Sequence, residues 1–309
     1  MLGATGHVAR NLMVHLGAAA NLELLLYARR PEAVAAFLQQ WPCAATCTPQ
    51  RIEDLGVEPI DAVINCVGLG DPATVSGAGV AVYELTDRFE SLVMGHLQLH
   101  PEVRYIDFSS GAVYGTAFTA PAGDDTPAVV PVNHIGPEHH YGIAKLGAEA
   151  RHRAAADLAI VDLRLFGLFS RFVDPNARYL MNDVVGCLLD GTELVTGPDD
   201  IWRDYVHPVD LAALVRAVLA TDPLNDVFDV ASAAPVSKFE LLERFARQHG
   251  LKYAVDESLV LPAATGAKTH YYSTSVRAER IGHHPRFTAM EALVEEVAAI
   301  LSREGKGAA

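Results

Sequence analysis

Tyr141 and Lys145 stand four residues apart in the segment YGIAKLGAE. On a helix that spacing puts both side chains on one face, one turn from each other. A free phenol ionises near ~10 and is a poor proton carrier at neutral pH. An ammonium one turn away favours the phenolate. Tyr141 can then give a proton to a carbonyl oxygen or take one from an alcohol. Upstream, YIDFSSGAVYG closes an apolar run with Ser109 and Ser110. A hydroxyl at the end of such a run can hydrogen-bond the same substrate oxygen as Tyr141.

A second group of residues lies at the start of the chain, in MLGATGHVAR. Gly3, Gly6 and Ala9 follow the spacing G-x-x-G-x-x-A, which lets a chain turn tightly against a pyrophosphate. The phosphate then rests on the first N–H groups of the following helix, those of His7 and Val8. A strand-like run, LELLLYA, comes next, as a βαβ dinucleotide unit requires. That run ends in YARRPE, where an NAD site usually carries an acid for the ribose hydroxyls. Arg29 and Arg30 suit the extra 2′-phosphate of NADP instead, so NADP is favoured over NAD. The alternative is a pair of solvated arginines at a helix start.

These residues need a scaffold, and the pattern supplies one. Apolar runs at 22–28, 61–68, 103–110 and 158–166 read as buried strands. Helical patterns at 7–19, 31–41, 80–99 and 141–156 alternate with them. The alternation implies a doubly wound parallel sheet of the Rossmann type, with ligands at the carboxyl ends of the strands. Beyond residue 171 the regularity weakens, then returns with a helix at 210–221 and an apolar segment at 226–232. Residues 1–171, rejoined by about 205–233, therefore read as a dinucleotide-binding domain. Residues 172–204 and 234–309 read as a smaller, discontinuous substrate domain, with helices at 237–249 and 288–303. Only Met1 and Leu2 precede the glycine turn, so the first, central strand is expected to be truncated, the native start lying upstream. A short strand, or residues outside this numbering, would also fill the gap.

Half of the 309 residues are hydrophobic and 20% are charged, which excludes a disordered chain. The formal net charge of −14 repels phosphate backbones, so nucleic acid is not an expected partner. No apolar stretch is long enough to span a bilayer, and no signal peptide is visible. A cytoplasmic, soluble protein is expected. Four cysteines in a chain of this length read as reduced thiols, and Cys43 and Cys47 lack the second pair that a metal site needs.

Taken together, GATGHVA, SSGAVYG, YGIAKLGAE, LRLFGLFSR, RDYVHPVDLA and FDVASAAPVS resemble the extended short-chain dehydrogenase/reductases, the NAD-dependent epimerase/dehydratase family. The resemblance covers nearly the whole chain. It implies that Tyr141 is the acid/base, that Lys145 is its partner and holds the nicotinamide ribose, and that Ser110 is the catalytic hydroxyl. Ser109 and Arg203 become substrate contacts, Arg203 for the diphosphate of a nucleotide sugar, while His207 reads as structural. A homodimer is implied as well. Family dehydratases place an Asp-Glu pair after the catalytic hydroxyl, where this chain has Gly111 and Ala112, so dehydration by that route is not expected. The arginines tilt the reading towards an NADPH-dependent reductase of a keto-sugar nucleotide. The alternative is an NAD-dependent 4-epimerase, and a third reading is a dinucleotide-binding sensor or scaffold without turnover. The family's strand-end asparagine is replaced by Gly167.

Overall fold

The computed structural model describes residues 1–69, 75, 77–259 and 268–305. Of the expected substrate domain, residues 260–267 and 306–309 lie outside the described residues.

Helices and strands alternate from the start. Helix α1 (His7–Leu16) leads to β1 (Glu23–Ala28), α2 (Pro31–Gln40), β2 (Thr46–Arg51) and β3 (Ala62–Asn65). There follow α3 (Ala81–Leu99), β4 (Arg104–Ser110), α4 (Pro137–Ala154) and β5 (Ile160–Leu165). The second half adds α5 (Leu180–Asp190), β6 (Glu193–Thr196), β7 (Trp202–Arg203), α6 (Pro208–Ala220) and β8 (Asp226–Val230). It closes with β9 (Val236–Ser237), α7 (Lys238–His249), β10 (Lys252–Val255), β11 (His270–Tyr271) and α8 (Ala289–Arg303).

The main sheet is parallel, and β1 pairs with β2 while β3, β4, β5 and β8 run side by side in that order. Leu2 joins the two parts, bridging Tyr27 of β1 on one side and Asn65 of β3 on the other. The central position thus holds a stub of strand. Its ladder bonds run from Leu2 N–H to Ile64 C=O at 2.8 Å and from Tyr27 N–H to Met1 C=O at 2.8 Å. The Met1 amino group donates to Leu25 C=O at 2.7 Å, and burial pulls it down to about 6. Leu2 has no exposed surface, as expected for the middle of a sheet covered on both faces.

β2 was not expected from the sequence. Its residues, TCTPQR, are polar and include a proline, which suits only an edge strand. It is an edge strand, paired with β1 alone. Helix α5 was also unforeseen, because the segment carries turn residues on both sides.

Apolar side chains gather in more than one core. One lies under α1 and α6 and includes Leu12, Leu26, Ile106, Leu163, Leu211 and Phe228. Another joins the two segments assigned to the second domain, with Met181 and Val184 packed with Leu241, Phe245, Leu293 and Val297. Helices α7 and α8 each begin with a capping box, Ser237 with Glu240 and Thr288 with Glu291.

Candidate active site

The cofactor end of the sheet is built by the first turn. Gly3 has φ +72°, a left-handed conformation that disfavours any side chain, and a Cβ there would stand 3.0 Å from the Cys66 carbonyl carbon and from Val67 N. Gly6 is the N-cap of α1 and brings no side-chain cap, so the helix N-terminus is left open for an anion. Ala9 is fully buried. This cradle fits the pyrophosphate of a dinucleotide. The His7 side chain does not turn towards it: its Nε2 pairs with Ser170 Oγ at 2.8 Å, and burial pulls the imidazole down to about 4. What His7 and Val8 can offer a phosphate is therefore main chain. Arg29 and Arg30 are exposed at the end of β1, in front of α2, and make no ion pair among the described residues.

The chemistry residues converge from β4 and α4. Ser110 ends β4 and caps the short turn Gly111–Tyr114, its Oγ accepting from Ala112 N–H at 3.2 Å. Helix α4 lies directly on that turn, because Gly142 has no side chain: a Cβ would strike the Ala112 carbonyl oxygen. The close approach puts Tyr141, the residue before it, beside the strand end. Tyr141 and Lys145 line one cavity with Asn65, Val67, Leu69 and Glu90. The Tyr271 hydroxyl stands 3.3 Å from Ser110 Oγ, and burial pushes the phenol's pKa up.

Lys145 is buried at 3% exposure and donates to Asp107 Oδ2 at 3.2 Å. Burial works against its charge, but Asp107, then Tyr141 and Glu90, outweigh it and hold the ammonium above the ordinary lysine range.

Ser109 departs from its expected role. Alternation along β4 turns it to the other side of the strand from Ser110. Its hydroxyl donates to Glu149 Oε1 at 2.5 Å, and the same carboxylate takes a bidentate pair from Arg164. With its hydroxyl committed to Glu149 under α4, Ser109 serves the sheet–helix interface rather than the substrate.

Arg203 sits at the head of the cleft on β7. Its Nη1 donates to two main-chain oxygens, those of Trp202 at 2.8 Å and Lys268 at 2.7 Å, and no carboxylate meets it among the described residues. Lys268, 8% exposed, has no hydrogen-bond acceptor for its ammonium among the described residues. It lies 4.3 Å from the Tyr271 ring centre and 5.7 Å from that of Phe118. Burial, reinforced by Arg203, pulls Lys268 down to about 8. Two such cations with no carboxylate partner among the described residues form a pair that can hold an anion.

Other motif residues are structural. His207 caps α6 through Nδ1, pairs with Glu295 at 3.2 Å and stacks on Phe287. Gly167 accepts from Val206 N–H at 3.0 Å, so the strand-end position serves the main chain of the neighbouring segment. Gly111 faces the Phe166 ring, 2.5 Å from where a Cβ would stand, leaving no room for an acid there.

Sequence reading missed Asp107, Glu90, His152 and Tyr271; of the two substitutes it offered for the family's downstream nucleotide arginine, Lys268 lies beside Arg203, whereas Arg277 is paired with Asp226. The signal for Asp107 was present: Tyr105, Asp107 and Ser109 alternate on one face of a strand whose neighbours are apolar. No group of residues able to hold a metal ion occurs among the described residues, and all four cysteines are free thiols. No described helix is long and apolar enough to cross a membrane.

Comparison with solved structures returns the same architecture. UDP-glucose 4-epimerase from Bifidobacterium longum, in complex with NAD+ and UDP, superposes with a TM-score of 0.76 at 20% identity, covering 99% of this chain and 98% of that one. The Stenotrophomonas maltophila UDP-glucose 4-epimerase, with bound NAD and formylated UDP-arabinopyranose, reaches 0.80 at 17% identity over 99% and 98%. The dTDP-glucose 4,6-dehydratase from Bacillus anthracis, in complex with NAD, gives 0.75 at 15% identity over 99% and 96%. A search of curated proteins found no match. The family model described as the NAD dependent epimerase/dehydratase family matches residues 1–231, and the chain belongs to that family.

Proposed function

We propose that the protein is a 4-epimerase of a nucleoside diphosphate sugar that works with a tightly held NAD. The carrying observation is the pair of cations on neighbouring strands, half-buried Arg203 and buried Lys268, linked to the Ser110–Tyr141–Lys145 centre through Tyr271. Tyr271 touches both ends of this arrangement, its ring 4.3 Å from the Lys268 ammonium and its hydroxyl 3.3 Å from Ser110 Oγ, so a diphosphate on the cations would lead its sugar towards the hydroxyls. The structural neighbours solved with UDP-sugars and NAD support the same reading, as does the lack of an acid pair at Gly111 and Ala112.

The glycine turn and the open end of α1 would hold the pyrophosphate, and Lys145 the ribose. The nicotinamide, when bound, supplies the acceptor and donor of hydride. Tyr141 takes the proton of the sugar C4 hydroxyl as the carbon is oxidised, and Ser110 holds the oxygen by a hydrogen bond. After the keto sugar turns, Tyr141 returns the proton to the other face's alcohol. Atoms and electrons balance without a second substrate, because the hydride and the proton both come back. The Tyr271 hydroxyl shares Ser110 and must yield to the substrate oxygen.

A second reading rests on Arg29 and Arg30. Two guanidiniums at the end of β1, without an ion pair among the described residues, suit a 2′-phosphate, and so favour an NADPH-dependent reductase of a keto-sugar nucleotide. One experiment separates the two: UDP-sugars are incubated with the purified protein and the sugar products identified, while NADPH absorbance is followed. Epimer formed without added cofactor supports the first reading. Consumption of one NADPH per alcohol formed supports the second, and the absence of both epimer and NADPH consumption overturns both.

A further inference from the structure

We propose that Asp107 is a positioning residue for the catalytic centre, clamping Lys145 and offsetting its charge so that it sets the pH range in which Tyr141 exchanges its proton. The proposal rests on the assignment of Tyr141 as acid/base made above.

Asp107 lies on β4, where the face covered by α4 would ordinarily be apolar, and it has no exposed surface. Every oxygen of its carboxylate is engaged. Oδ2 takes the Lys145 ammonium at 3.2 Å. Oδ1 accepts from Asn65 Nδ2 at 2.8 Å; the Tyr105 hydroxyl, 3.3 Å from Oδ1, has one proton and stands closer to Glu90 Oε1, at 3.1 Å. Asn65 is its register partner on β3, so the donor comes from a neighbouring strand rather than from a movable loop. A carboxylate tied by Asn65 to the next strand cannot follow Lys145 if the ammonium moves, and so it fixes where that ammonium stands.

The electrostatic consequence follows from the geometry. A lone ammonium near Tyr141 stabilises the phenolate in full, whereas an ammonium with a carboxylate on its far side acts as a dipole and stabilises it less. The other groups around Lys145 do not repeat this effect. From α3, Glu90 also favours the Lys145 charge, but after Asp107 and without touching it, since its oxygens are bonded to Tyr105 at 3.1 Å and to His152 at 2.5 Å. From the end of β3, burial pushes the Cys66 thiol up to about 12, which keeps it neutral. The Met1 amino group of the stub is pulled down by burial, and Tyr271 of β11 is pushed up by burial, so both stay uncharged near neutrality and above. On β4, burial and the adjacent carboxylates hold Tyr105 as the phenol. Asp107 remains as the carboxylate in direct contact with the ammonium.

The test titrates Tyr141 itself in the full-length protein. Tyrosinate absorbance is recorded against pH for wild type and for D107N, each corrected by the same protein carrying Y141F. Removing the carboxylate should move the Tyr141 titration to lower pH by about one unit or more. NAD affinity, measured by calorimetry, should weaken in D107N, because Lys145 is no longer clamped. D107N turns an acceptor towards two donors and can fail to fold. The exchange N65D/D107N restores the donor–acceptor balance and moves the charge one strand away from Lys145, and it should titrate below wild type while keeping stability. A Tyr141 titration that superposes on wild type in a folded variant overturns the proposal. Failure of the parent reading looks different: turnover that survives Y141F removes Tyr141 from the chemistry whatever Asp107 does.

Discussion

Replacing His152 with leucine should cost the protein about 3–5 kcal/mol at pH 7, with a cost that fades as the pH rises. His152 is fully buried, with Nδ1 2.7 Å from Asp162 Oδ1 and Nε2 2.5 Å from Glu90 Oε2. Both ring nitrogens face carboxylates, so the ring is an imidazolium with two donors. Burial opposes that charge, but the hydrogen bonds from Asp162 and Glu90 win and lift it to about 10. The folded pKa stands above the unfolded value of 6.5, so the stabilisation is complete below 6.5 and is lost as the pH climbs through 10. Within that window the loss runs at about 1.4 kcal/mol per pH unit, and about 4 kcal/mol remains at pH 7. Leucine has no charge to lose. Urea unfolding of both proteins, followed by two optical probes at pH 7, 8 and 9, should show their difference shrinking by about 1.4 kcal/mol per unit. Asp162 keeps Arg153 at 2.9 Å and Glu90 keeps Tyr105, which holds the variant's cost near the lower end of the range. A difference that stays constant from pH 7 to 9 would refute the doubly bonded imidazolium.

Three further outcomes are expected. Y141F should lower turnover by about 10²–10⁴ while NAD affinity, read by calorimetry, stays within a few fold; near-normal turnover would remove Tyr141 from the proton transfer. R29A/R30A should weaken NADP binding more than NAD binding, and equal loss for both would return the two arginines to the solvated surface. UDP affinity should fall between pH 7 and 9 as Lys268, pulled down to about 8, loses its charge, and the fall should vanish in K268M. An identical pH dependence in K268M would show that the anion is held elsewhere.

The alternation of apolar runs with helical patterns decided the parallel sheet before any coordinate, because period and length distinguish a buried strand from a helix. It missed β2, whose polar residues carry no strand period and are tolerated only because the strand lies at the edge. Local spacing likewise paired Tyr141 with Lys145 and brought Gly3 and Gly6 to a helix start, since those relations lie within a turn or two of chain. It could not separate Ser109 from Ser110, as both are hydroxyls on one run. Only the pleat of β4, packed under α4, sends one to Glu149 and the other towards Tyr271. Asp107 and Asp162 fall in runs read as buried strands, but nothing local to them, or to Glu90 and His152, names their partners. The sheet register places Asn65, Asp107 and Asp162 in one row, and α3 and α4 close over it. A buried charge is stable only beside its partner, and here the partners come from strands and helices far apart in the chain. The same holds for Arg203 and Lys268, whose closeness arises where β11 pairs with β7. Reactive residue types are written locally, whereas the charge each one feels depends on which distant segments the fold lays against it.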